Sequence, residues 1–214
     1  AKAQCYVGYN LRFHPVLTRL KELISSRVLY STHIYAGSWL PSWRPERDYR
    51  ECRSSVDAKE GGVLSELSHE LDFLCWLTGQ WIKVSASVAK VSDLEIESED
   101  TVGLLLQTTN CPVTTLQLNY TDRLGAREII VNADNLSIRA DLVSSVIKTG
   151  QGEERFQVER NDSYLEMHQE LISGNCDRVC SLDEAIDVLK LITGARQSAS
   201  CGKTIFYDQV SKSG

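Results

Sequence analysis

Between Gly61 and Gly79 the chain reads GGVLSELSHELDFLCWLTG, and within it Glu66 and His69 stand about one helical turn apart. An imidazole titrates near neutrality, and a carboxylate on the neighbouring turn can orient the ring and favour its protonated form. The pair therefore suits general acid–base work. The same residues also fit a structural histidine that bridges the helix to a neighbour through Glu66 or Asp72. A metal is a third option, because Glu-x-x-His is the spacing found in carboxylate-bridged di-iron bundles. Those bundles need a second such pair and further glutamates on four helices. Here the nearest relative is Glu166 with His168, at the wrong spacing, and no cysteines and histidines cluster as a zinc site requires. No metal is expected.

A second group of chemical residues lies in the stretch GSWLPSWRPERDYR, where Trp39, Trp43 and Tyr49 lie beside Arg44, Arg47 and Arg50. Aromatic rings stack on the C–H faces of a sugar, and guanidinium forks bind hydroxyls, carboxylates or phosphates, so a polyol or sugar ligand fits. The plainer alternative is that the tryptophans anchor the loop and the arginines are solvated. A third group, Asn10, Arg12 and His14, sits in YNLRFHP. His33 and His168 have no supporting motif and read as structural or exposed.

These residues need elements to hold them. Leu64, Leu67, Leu71 and Leu74 recur at helical spacing with Glu66, His69, Glu70 and Asp72 between them, which predicts one amphipathic helix with a core face and a charged face. Gly61-Gly62 opens it, and Gly79 suits a left-handed terminus. Upstream, a short strand at Cys5–Tyr9 leads to Pro15, which fits the first position of a helix running to about Ser25. Val28–Ala36 reads as a strand, followed by the tryptophan-rich segment as a long loop. After the central helix, strands are predicted at Ile82–Val91, Thr101–Thr108, Pro112–Tyr120, Arg127–Asn132, Leu136–Ala140, Val143–Thr149 and Glu154–Glu159. A helix from Asp162 or Ser163 to Ile172 follows. Ser181 and Glu184 then form a capping-box pattern that opens a long helix ending near Gly202, before a last strand at Thr204–Tyr207. The order predicts an α+β fold: a large, mostly antiparallel sheet covered by helices on one face. Leu104-Leu105-Leu106 suggests that the other face is apolar enough to need a partner, with self-association as the expected use.

Composition narrows the class. The 214 residues are 42% hydrophobic, and 23 basic residues against 29 acidic ones give a net charge of −6 with no basic run. Nucleic acid therefore has no electrostatic support as a partner. No apolar run is long enough to span a bilayer, and the start lacks the layout of a signal peptide, so the expected setting is cytoplasmic, without membrane. Seven scattered cysteines without a CxxC pair read as reduced, mostly buried thiols.

The segments YVGYNLRFHP, GSWLPSWRPERDYR and GGVLSELSHELDFLCWLTG, in that order, together with the terminal SLDEAIDVLKLITGARQSASCGK, resemble the C-terminal part of a Gfo/Idh/MocA-type oxidoreductase. The resemblance implies an α/β domain that holds substrate, assembles dimers or tetramers, and follows a dinucleotide-binding domain. No GxGxxG occurs, Gly150-Gln151-Gly152 lies between predicted strands, and the family's glutamate-lysine-proline motif is missing. The chain is thus expected to be a fragment. Residues 1–25 would be the last strand of the cofactor domain and a linking helix, and residues 26–214 the substrate-binding and oligomerisation domain.

What the resemblance implies for the site is specific. The family places a histidine on this helix near the substrate hydroxyl that loses a proton, with an aspartate before it as D-x-x-x-H, whereas this chain has E-x-x-H. His69 becomes the candidate proton donor or acceptor with Glu66 assisting, and Arg12, Trp43, Arg47 and Arg50 the candidate substrate residues. Arg12 matches a position that the family usually fills with arginine. The intact parent would be an NAD- or NADP-dependent dehydrogenase acting on the CH–OH group of a sugar-like or polyol substrate. The fragment would bind no cofactor and be inactive alone. The alternative is a non-catalytic binding or scaffold domain derived from the same family.

Overall fold

The computed structural model describes residues 4–52 and 61–210. The chain starts with β1 (Tyr6–Val7), a single 3-10 turn at Asn10–Phe13, α1 (Pro15–Ile24) and β2 (Leu29–Gly37). Two short helices, α2 (Val63–Glu66) and α3 (Ser68–Thr78), then lead to β3 (Trp81–Ala89), β4 (Thr101–Thr108) and β5 (Thr114–Asn119). A meander follows through β6 (Ala126–Ala133), β7 (Leu136–Asp141), β8 (Val146–Thr149) and β9 (Gly152–Arg155). The last elements are α4 (Asp162–Ser173), β10 (Cys180–Ser181), α5 (Leu182–Cys201) and β11 (Ile205–Phe206).

Nine strands form one sheet in the order β11-β3-β4-β5-β2-β6-β7-β8-β9, and β1 pairs with β10 in a separate ribbon. Every pairing in the large sheet is antiparallel except β2 with β5. Alternation sends one side chain in two to the helices. An inward row therefore runs Leu104, Leu116, Ile34, Ile129, Ala140 and Ile147 across six adjacent strands, all buried. Helices α1, α3 and α5 bury their apolar stripes in this same cluster. The fold is thus the expected α+β arrangement. α1 contributes Val16, Leu17, Leu20 and Ile24 to the common core.

Several expectations are corrected. The central segment is two helices, because Leu67 leaves helical geometry at φ −98°, ψ 32° and separates Glu66 from His69. Its charged residues do not all face water: Glu70 and Asp72 are 0% and 1% exposed, so α3 is enclosed on more than its apolar stripe. Of the Leu104-Leu105-Leu106 run, only Leu105 points outward. The row containing it reads Ser85, Leu105, Thr115, His33, Ile130, Arg139, Lys148, so the open face is mainly polar, not apolar. The cysteines are free, but only Cys111 and Cys180 are buried, with Cys5 and Cys201 exposed.

Candidate functional site

Three elements converge below the start of α3. The 3-10 turn at Asn10–Phe13 carries Arg12, which is 2% exposed and donates through Nε and Nη2 to Asp72 at 2.9 and 2.6 Å. Its Nη1 donates to Glu184 Oε1 at 2.9 Å. Glu184 also accepts from the Ser181 backbone N–H, closing the capping box that starts α5. Burial pushes the Asp72 carboxyl up while the two guanidinium bonds pull it back. Arg12, expected to hold substrate, is thus spent on a buried ion cluster and lines neither cavity described below. It fixes the floor on which the site stands.

Above that floor, His69 opens into a cavity of about 470 Å³ lined by Asn10, His14, Arg127, Ser163 and Tyr164 among others. Tyr9 packs edge-on against the His69 ring with centroids 5.2 Å apart. Asn10 Nδ2 donates to Ser163 Oγ at 2.7 Å, tying the turn to α4. His14 caps α1, its Nδ1 accepting from the Val16 N–H at 3.3 Å. Burial, and then the positive charge of Arg127, push both imidazoles down to about 4. Both rings are therefore neutral near pH 7 and able to accept a proton rather than supply one.

Arg127, at the start of β6, escaped sequence reasoning. Its Nε lies 2.7 Å from Oε1 of Glu70, which is completely buried. Burial pushes the Glu70 carboxyl up and Arg127 opposes that. A signal was available: Val63, Leu67, Glu70, Leu74 and Leu77 follow one another at helical spacing, so the pattern itself turns Glu70 inward. A buried acid calls for a cationic partner, although spacing alone could not name Arg127.

Glu66 does not join His69. No hydrogen bond or ion pair connects them among the described residues, and the break at Leu67 turns Glu66 toward a different cavity of about 650 Å³. Leu40, Trp43, Arg44, Arg47 and Tyr49 line that cavity with it. Trp43 also packs edge-on against buried Tyr120 at 5.3 Å, so it both anchors the loop and borders the cavity. Trp39 stacks under Arg123 at 3.7 Å and lies outside that lining. Arg50 is held by Asp48 at 2.6 Å and Glu95 at 3.3 Å, and lies outside the lining. The structure thus groups Trp43, Arg47 and Glu66 in one cavity and places His69 in another.

Gly150-Gln151-Gly152 is the hairpin turn between β8 and β9, with Gly150 in the open. No strand, glycine turn and helix follow one another as a dinucleotide cradle among the described residues. Nor does any group of three histidine, cysteine or acidic side chains that could hold a metal occur among them. No helix there is long and apolar enough to cross a membrane.

Residues 17–139 match the model of the GFO/IDH/MocA C-terminal domain, and the chain belongs to that family. No curated protein matches it. Among solved structures, an oxidoreductase from Agrobacterium radiobacter in complex with NAD+, L-tartaric acid and magnesium is similar with a TM-score of 0.79 and 17% identity, over 96% of this chain and 65% of that one. An oxidoreductase from Thermotoga maritima gives 0.77 and 16%, over 96% and 63%. The WlbA dehydrogenase from Bordetella pertussis in complex with NADH and UDP-GlcNAcA gives 0.74 and 20%, over 95% and 64%. The chain spans just under two thirds of the length of these proteins.

Proposed function

We propose that this chain is the substrate-binding and assembly half of an NAD(P)-dependent oxidoreductase that acts on the CH–OH group of a sugar-like or polyol substrate. The observation that carries the reading is His69, neutral and open to a cavity at the start of α3, in a chain of this family. Related folds crystallised with NAD+ or NADH and with a hydroxy acid or a nucleotide sugar support the class of substrate. His69 accepts the proton of the reacting hydroxyl, Asn10 and Ser163 border it with hydrogen-bonding groups, and burial, helped by the charge of Arg127, keeps the ring unprotonated. Trp43, Arg47 and Glu66 offer a stacking face, a fork and an acceptor for a more distant part of a sugar.

In this reading the hydride acceptor is a nicotinamide dinucleotide of the kind bound in related structures, held by a part of the parent protein outside the described residues. The chain alone should show no NAD(P)H turnover. In the full-length parent, His69→Gln should lower kcat about 10²–10⁴-fold with little change in KM. Unchanged turnover would return His69 to a structural role, whereas a wild-type parent without any turnover would favour the scaffold reading.

A further inference from the structure

We infer that the cavity holding His69 selects an anionic sugar, with Arg127 binding a carboxylate or phosphate substituent while His69 faces the reacting hydroxyl. The inference rests on the reading of that cavity as the substrate site. Arg127 is the feature that goes beyond it. A surface arginine needs no fixed partner, yet this one is ion-paired, its Nε 2.7 Å from a carboxylate of 0% exposure whose oxygens have no hydrogen-bond partner among the described residues, while its own side chain stays 32% exposed. Glu70 is its one ion-pair partner among the described residues. A fork held at one edge presents a preset cation to whatever enters, which is the arrangement that recognises oxyanions bidentately.

Placement supports this use. Arg127 lines the His69 cavity and also an adjoining one of about 260 Å³ formed by Gly37, Ser38, Leu67, Leu124 and Gly125. Val143 borders both as well, so Arg127 stands where the two spaces meet. A ligand with its hydroxyl at His69 and its charged end toward the second space would pass directly over it. Its charge is felt inside, since it acts on both His14 and His69. Arg160 adds a second cation at the rim, opposed there by Glu159.

The test uses the 214-residue chain, histidine-labelled for NMR, titrated with D-glucuronate, D-glucose 6-phosphate and D-glucose. At least one anionic sugar should bind about tenfold more tightly than glucose and shift the His69 imidazole signals, and the two anionic arms separate carboxylate from phosphate. Arg127→Gln would leave Glu70 buried without a partner and could unfold the chain, so Glu70→Gln/Arg127→Gln is the informative variant. It should bind all three sugars equally. Equal affinities in the wild type, a preference that survives in the double variant, binding that leaves His69 unmoved, or no binding at all would overturn the inference. Three sugars that all move His69 with equal affinity would leave the substrate-site reading standing. An Arg127-dependent preference with unchanged turnover of a His69→Gln parent would do the reverse.

Discussion

At the scale of single residues, the site is governed by side chains that burial has put under electrostatic load. Arg12 is the clearest, because Asp72 at 1% exposure depends on it for two hydrogen bonds. Arg12→Ala should cost about 3–5 kcal/mol in urea unfolding, since it strands a buried carboxylate. Arg12→Met with Asp72→Leu should recover most of that loss, which a simple cavity effect would not allow. His14 and His69 make the stability depend on pH. Their folded values near 4 lie below the ordinary 6.5, so between those limits the unfolded chain binds more protons. Their contribution is complete above about pH 6.5 and is lost as pH falls toward 4. His14, 8% exposed, should supply on the order of 1–3 kcal/mol of this. Glu70 works in the opposite sense, its carboxyl being raised by burial. The histidine share is therefore read from the difference between wild type and His14→Gln or His69→Gln in denaturation midpoints across pH 4–7.

At the scale of elements, the termini of the central helices decide where the chemistry points. Gly62 has φ +90°, and a Cβ there would lie 2.3 Å from Cδ of Glu99. Glu99 in turn meets Arg196 Nη2 of α5 at 3.2 Å, so Gly62 lets the sheet and the last helix close over the start of α2. Gly62→Ala should lower stability by about 1–3 kcal/mol in thermal melts. Most elements were legible in the sequence for local reasons. The capping box at Ser181 and Glu184 and the alternation in Pro112–Tyr120 are each complete within a few residues. What stayed hidden was nonlocal. The break at Leu67 has no proline or glycine to announce it, and it alone parts Glu66 from His69. The inward turn of Glu70 is answered by Arg127, which no spacing rule connects to it. Likewise, Leu104-Leu105-Leu106 looked continuous because a run of three hides which member faces out.

At the scale of the whole molecule, the nine-stranded sheet has one broad face that no helix covers among the described residues. Assembly through that face belongs to the proposed function, and its polar row makes the expected interface a registered one rather than a greasy one. Light scattering should give a dimer or tetramer, and Leu105→Glu, which places a charge on a residue 53% exposed at that face, should shift it to monomer. A wild-type chain that is strictly monomeric at micromolar concentration would count against assembly. The buried ion cluster of Arg12 carries a different consequence, for the order of events in folding. Arg12 and Glu184 are 172 residues apart in sequence, and Asn10 and Ser163 are 153 apart. Neither contact exists while a nascent chain has not yet delivered α4 and α5, whereas β3 to β5 and β6 to β9 pair with sequence neighbours. The turn at Asn10–Phe13 is therefore among the first described segments to be synthesised and among the last to find its place. Pulsed hydrogen exchange during refolding should protect the amides of β3 and β4 before that of His14, so the cavity acquires its floor only when the rest of the domain already stands.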